Sequence, residues 1–192
     1  MKQSIQSEKH PLQPYLPEGA KVLMLGSFPP PQQRWSMEFF YPNWINDMWR
    51  IMGLIFYNNK HHFEIPEKKS FDPERITEFC RSQGIALYDA ATAICRTKDN
   101  ASDKFLEVVE QTNIASLLNQ LPHCTAIVTT GQKATEIVAE QLGVTIPAVG
   151  EYTHIYYNER TLRLFRMPSS SRAYPLSIDK KAEQYRKVFA LL

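Results

Sequence analysis

The stretch that most constrains the fold of this chain is Val22 to Trp49, VLMLGSFPPPQQRWSMEFFYPNWINDMW. It opens as a continuous apolar run, Val22-Leu23-Met24-Leu25, stops at Gly26-Ser27 and enters the stiff segment Phe28-Pro29-Pro30-Pro31. A short apolar run closed by glycine reads as a central parallel strand, buried on both faces. In open α/β sheets, ligands sit outside the C-terminal ends of such strands. Beyond the prolines, Trp35, Phe39, Phe40, Tyr41 and Trp44 cluster around the amides Asn43 and Asn46. Backbone N–H groups at fixed turns, with flat rings beside amides, suit a planar hydrogen-bonding ligand such as a nucleobase. The same rings suit a core cluster beneath a loop, and Asn46 suits a helix N-cap.

The remaining segments supply the partners of that strand. Residues 1–20 are polar and proline-punctuated, and read as an extended arm. Asn46 to Leu54 has helical spacing and is expected to stop at Gly53, and the segment from Phe56 to Phe71 reads as a surface loop. Asp72-Pro73-Glu74 starts a helix that ends at Gly84, with a strand following from Ile85 to Ala90. Ala91 to Asn100 reads as a loop, in which Arg96 is placed to pair with Asp89. Ser102-Asp103 caps a short helix to Glu110, and Asn113 caps another to Gln120. A strand from Thr125 to Thr130, a turn at Gly131 and an amphipathic helix to Leu142 complete a strand-helix alternation typical of parallel βαβ units. Tyr152–Tyr157 and Thr161–Met167 alternate around Asn158-Glu159-Arg160, which predicts a hairpin whose second arm enters the sheet. A last helix starts at Ile178-Asp179.

Composition bounds the class. A chain of 192 residues with 43% hydrophobic and 22% charged content fits one globular domain, residues 1–192. The net charge of +2 permits an anionic partner without demanding one. Cys80, Cys95 and Cys124 match no zinc or redox spacing and read as reduced thiols. The N-terminus lacks the apolar core of a signal peptide, and no apolar run approaches the roughly 18 residues of a membrane span. The expectation is a cytoplasmic protein. His61-His62 are adjacent on a loop and read as surface residues, with His10, His123 and His154 too scattered to assemble a metal site. Nucleotide-hydrolysis and dinucleotide motifs are missing, as is a nucleophile elbow.

Two loops stand out, Gly26-Ser27-Phe28-Pro29-Pro30 and Met167-Pro168-Ser169-Ser170-Ser171-Arg172, each following an apolar strand. Here the chain resembles the uracil-DNA glycosylase superfamily. The first loop is similar to the family's glycine-x-x-proline motif, and the second is similar to that of thymine-DNA glycosylase. Phe40-Tyr41-Pro42, Asn46 and Trp49 resemble the hypoxanthine-DNA glycosylase branch. So do Gly84–Asp89, Cys95-Arg96, Asp103 and Thr130-Gly131-x-x-Ala134. The resemblance implies a three-layer α/β/α sandwich with a short, mainly parallel sheet.

It also implies the chemistry. Such an enzyme extrudes a base from the stack and hydrolyses its glycosidic bond. Gly26, Ser27, Phe28, Pro29, Phe40, Tyr41 and Asn43 are expected to form the base pocket, and Ser169, Ser170 and Ser171 to grip phosphates. Arg172 is expected to probe the duplex. Many relatives carry Asp or Asn where this chain has Phe28, and His where it has Met167. The hypoxanthine branch implies Asn46 as the water-positioning residue, with Asn43 the alternative. The expected partner is double-stranded DNA containing hypoxanthine, uracil or mismatched thymine, bound by a monomer without metal or cofactor. The rival expectation is a glycosylase-fold module that binds damaged DNA or nucleotides without catalysis.

Overall fold

A computed structural model describes residues 7–97 and 106–192. At its centre lies a five-stranded sheet built from β2 (Val22–Gly26), β5 (Ile85–Asp89), β8 (Ala126–Thr130), β9 (Glu151–Tyr157) and β10 (Arg160–Met167). Their order is β5-β2-β8-β10-β9. The first three pairings are parallel and only the β9/β10 hairpin is antiparallel. All residues of β2, β5 and β8 are buried. Strands covered on both faces explain why their sequences run apolar without alternation.

Helices flank this sheet: α1 (Met48–Tyr57), α2 (Pro73–Gln83), α3 (Ile114–Asn119), α4 (Gln132–Leu142) and α5 (Ile178–Phe189). α2 packs on β5, α4 on β8 and β10, and α5 on β10 and α1. The starts of α2 and α3 follow the local chemistry read from the sequence, and α5 is capped in the same manner by a serine not singled out there. Asp72 accepts from the backbone N–H groups of Glu74 and Arg75, Asn113 from Ser116, and Ser177 from Lys180. Among the described residues no helix is long and apolar enough to cross a membrane.

Several segments differ from their sequence-based expectation. The segment after Asp89 is no loop: β6 (Ala91–Arg96) pairs antiparallel with β7 (Leu106–Gln111) and with β1 (Ser7–Lys9) in a separate sheet. The expected helix to Glu110 is therefore replaced by strand β7, whose Leu106 and Val108 cover Ala91 and Ile94. The proposed cap, Ser102-Asp103, lies outside the described residues, as does the family-like Asp103. From residue 7 onward the N-terminal arm is extended and anchored, since Tyr15 exchanges both backbone hydrogen bonds with Leu87.

Helix α1 does not stop at Gly53 but runs on to Asn58, which closes it at φ 50°. Gly53 instead admits the carbonyl of Asn59, where any side chain would collide. The segment from Phe56 to Phe71 is also not merely a surface loop. Phe63 and Phe71 are core residues, and β3 (Glu64–Ile65) pairs with β4 (Ser70–Phe71). In the β9/β10 hairpin, Asn158 and Glu159 take φ 46° and 61°, the two-residue turn that matches strand twist.

Candidate active site

Strands β2, β5, β8 and β10 end at Gly26, Asp89, Thr130 and Met167, and the register sets Gly26 against Asp89 and Met167 against Thr130. Both motif loops therefore open on one edge of the sheet. Between them lies a cleft of about 460 Å³. Gly26, Ser27, Phe28 and Pro29 line it from the first loop, and Phe40, Tyr41, Asn43 and Asn46 from the aromatic segment. Ser169, Ser170, Ser171 and Arg172 line it from the second loop. The residues expected from the sequence are thus brought together, from segments more than a hundred positions apart.

The first loop is held from outside. Arg96 Nη2 donates to the carbonyl of Pro29 at 2.6 Å, and Trp35 Nε1 donates to that of Pro30 at 2.8 Å. Arg96 also pairs with Glu8 at 3.0 Å, so the expected Asp89–Arg96 pair does not form. Its guanidinium lies 5.6 Å from the centre of the Phe28 ring, which packs on Ala91, Ile94 and Leu106. Gly26 is required by a close approach, because a Cβ there would stand 2.5 Å from Asp89 Oδ1.

In the aromatic segment, Phe40 is buried and its carbonyl accepts from Trp49 Nε1 at 3.0 Å. Trp49 itself is core. Tyr41 has φ 51°, a costly conformation for a bulky residue that concentrates at functional turns. Its hydroxyl lies 3.3 Å from Thr130 Oγ1. Burial, and next the negative charge of Asp89, push the Tyr41 phenol well above its ordinary range, so it stays protonated.

The amides are anchored but not exhausted. Asn43 Oδ1 accepts from the backbone of Ile45 at 3.1 Å. Asn46 Oδ1 accepts from Met48 N at 2.9 Å at the start of α1, which fixes the orientation of the amide. One Oδ1 lone pair and both Nδ2 protons stay available, since no further side-chain partner occurs among the described residues. Arg50 Nη1 donates to the carbonyls of Trp44 at 2.8 Å and Asn46 at 3.1 Å, clamping the turn that carries Asn46. Arg50 itself lies against the rings of both Trp44 and Phe71 and is ion-paired to Glu64.

Asp47 joins the two sides. Its backbone N–H donates to the Ser170 carbonyl at 2.9 Å. Its carboxylate meets Arg172 at 3.0 Å, Arg50 at 3.6 Å and Lys181 at 3.7 Å. Lys181 Nζ is buried and donates to the Ser171 carbonyl at 2.7 Å; burial lowers its pKa, with Asp47 opposing. In the serine loop, Ser169 Oγ accepts from Ser171 N and Ser171 Oγ accepts from Ala173 N. Accepting in this way leaves each hydroxyl proton free to donate outward. The Arg172 side chain is 48% exposed and rests on Asp47 at the lip of the cleft. Met167 is buried in the core and offers no polar group.

Sequence reasoning missed the cleft's carboxylate. Asp89 lines the cleft and is paired with His10 at 2.8 Å, with side-chain exposures of 10% and 2%. The position of Asp89 at the end of a central parallel strand was a usable signal. No local signal marks His10, which arrives from the arm. Two other histidines have partners of their own: His61 pairs with Glu64 at 2.5 Å and His62 stacks on Tyr57 at 3.6 Å. Among the described residues no group of three or more His, Cys, Asp or Glu is placed to hold a metal.

No family model matches the chain, and no curated protein does. Among solved structures it is similar to the solution NMR structure of a "putative Uracil DNA glycosylase" from Methanosarcina acetivorans. That likeness spans 96% of this chain and 97% of the other, with a TM-score of 0.63 and 20% identity. The architecture is therefore that of the archaeal protein, a mixed α/β fold in which helices flank a mainly parallel sheet.

Proposed function

We propose that this protein is a monofunctional DNA glycosylase that extrudes a deaminated or mismatched base, hypoxanthine, uracil or mismatched thymine, and hydrolyses its glycosidic bond. The observation carrying this reading is the joint cleft, lined by two strand-end loops and the Asn46 segment, within the roughly 300–1,000 Å³ range of small-ligand sites. The fold likeness supports it. Phe28, Phe40 and Tyr41 supply aromatic walls, and base–aromatic stacking contributes about 1–3 kcal/mol. Asn46 orients the attacking water through its free lone pair, and Ser169 to Ser171 grip the flanking phosphates with hydroxyl and backbone donors. Arg172 leaves Asp47 to meet the duplex. The product is an abasic site. Strand cleavage is not expected, because the ammonium of Lys181 is committed to Ser171 and Asp47 behind the cleft. In this reading the chain acts as one domain and as a monomer in the cytoplasm, without metal or cofactor.

The test incubates the protein with duplexes carrying each lesion and then applies alkali. Cleavage at the lesion is expected; an intact panel rules the reading out. One observation favours a non-catalytic damage-binding module instead: Asn46 Oδ1 already serves the start of α1, and Phe28 and Met167 carry no acid or base. Lesion-dependent gel shifts without base release select that module.

A further inference from the structure

A second cavity, of about 440 Å³, adjoins the cleft, and the roles assigned above make no use of it. Asn46 lines the cleft and Asp47 lines this cavity, while Arg172 borders both. The other walls include Arg50 of α1 and, from the segment that the sequence presents as a surface loop, Lys60, His61 and Glu64. Arg50 is only 5% exposed, and most of its donors are committed. Its Nε pairs with Glu64, and Nη1 donates to the Trp44 and Asn46 carbonyls. Nη2 has no partner among the described residues. It is not sealed off either, because the one fully enclosed side-chain nitrogen left without a partner there is Nε of Arg163. A donor on a buried cation is costly to leave idle unless something from outside accepts from it.

The acids of this cavity cannot serve as that acceptor, since they are already engaged. Glu64 gives one oxygen to Arg50 and the other to His61, and Asp47 meets Arg172, Arg50 and Lys181. Lys60 is exposed and makes no ion pair among the described residues. Arg50, Lys60, Arg172 and Lys181 outnumber Asp47 and Glu64. Positive charge stays in excess even when Arg172 is drawn away to the duplex. A cluster that only stiffened this corner would have no use for an idle guanidinium nitrogen and an unpaired ammonium at one cavity. Both are donors on cations, which suits an anion rich in acceptor oxygens, and a phosphate is such a group.

We propose that this cavity takes one backbone phosphate of the strand that leaves the cleft, bound by Arg50 Nη2 and Lys60 Nζ. The proposal rests on the glycosylase reading for its choice of DNA as the ligand and adds a second grip, separate from the serine loop. With the serines on the cleft side, the strand is then pinned on both sides of Arg172. Two such pins fix the ends of the stretch that must bend when a base leaves the stack.

The test moves a single methylphosphonate, an uncharged stand-in for one phosphate, along the damaged strand of a duplex containing an abasic-site analogue. Wild type is expected to lose about fivefold in affinity at one position in particular, the worth of one close charge pair in water. Lys60→Ala should lose about as much on unmodified DNA, and its slope of log K against log salt should fall by about one. At that one position the methylphosphonate should cost Lys60→Ala nothing further, while losses elsewhere add, because only groups in contact couple. Lys60→Arg keeps the charge and should restore the wild-type profile. Arg50→Lys keeps a charge but loses Nη2, and should couple at the same phosphate; should it not fold, Lys60 decides alone. Lys21→Ala removes an exposed charge just before β2, at the opposite edge of the sheet, and should leave the profile as it is. Wild-type affinity and slope in Lys60→Ala, or losses that add at every position, overturn the proposal. Coupling at one phosphate without base release from any of the three lesion duplexes sinks the glycosylase reading and leaves this site standing. Base release with no coupling at any position does the reverse.

Discussion

At the scale of single residues, several groups of the cleft are oriented by one hydrogen bond and keep bonding capacity to spare. Asn46 is the clearest case, with its orientation set by Met48 N and its remaining lone pair unspent. Asn46→Ala is expected to lower single-turnover base release by about 10²–10³, the usual penalty for losing one positioned polar group. Asn43→Ala should have a smaller effect, and the reverse order would transfer the role. Arg172 rests on Asp47 with its side chain half exposed. Arg172→Ala should weaken duplex binding similarly across sequences and reduce the slope of log K against log salt by about one, read from titrations at several salt concentrations. Local chemistry made much of this legible. Glycine before a proline turn, serines after a buried strand and paired amides beside rings are signals written within a few residues. His10 was illegible for the opposite reason, since its meaning comes from Asp89, 79 positions away.

At the scale of elements, the same contrast decides which expectations failed. Helices with side-chain caps, such as α2 and α5, begin where their cap residues stand. Strands β6 and β7 escaped because their pairing partners, β1 and each other, define them more than their own sequences do. Strand propensity depends on such context more than helix propensity does. The cleft needs α5 as much as the strands, because Lys181 holds the Ser171 carbonyl and Tyr185 Oη holds that of Pro168 at 2.8 Å. Lys181→Met keeps the apolar stem and removes the donor. It should cost about 1–3 kcal/mol, since a buried carbonyl loses its partner. The thermal midpoint should drop by about 2–4 °C per kcal/mol, measured by calorimetry. Binding of lesion DNA should weaken as well; an unchanged midpoint would discount the strut.

For the whole molecule, buried acids set the alkaline limit. Burial pushes the Cys124 thiol from 9.0 up to about 11, and pushes Cys80 higher still. Burial raises the phenols of Tyr41 and Tyr185 in the same direction. Between pH 9 and about 11 the unfolded Cys124 has lost its proton while the folded one keeps it. The native state then binds more protons than the unfolded state, so stability falls as pH rises. Lys181 opposes this, its lowered pKa favouring the native state as pH climbs, but it is outnumbered by the acids that burial raises, Tyr15 and Tyr88 among them. The thermal midpoint should therefore decline from pH 9 to 11, and Cys124→Ala should flatten that decline. A slope identical in both proteins would remove the thiol from the account.

The bond between Asp47 and Arg172 spans 125 positions. One lip of the cleft is thus made 125 positions before the other. A chain emerging from the ribosome has no finished cavity until α5 is free to dock, and a proteolytic nick before Met167 removes one wall at a stroke. Ligand affinity should consequently report on the continuity of the chain from Asp47 through α5, appearing only once that helix has been made and vanishing when the stretch between them is cut.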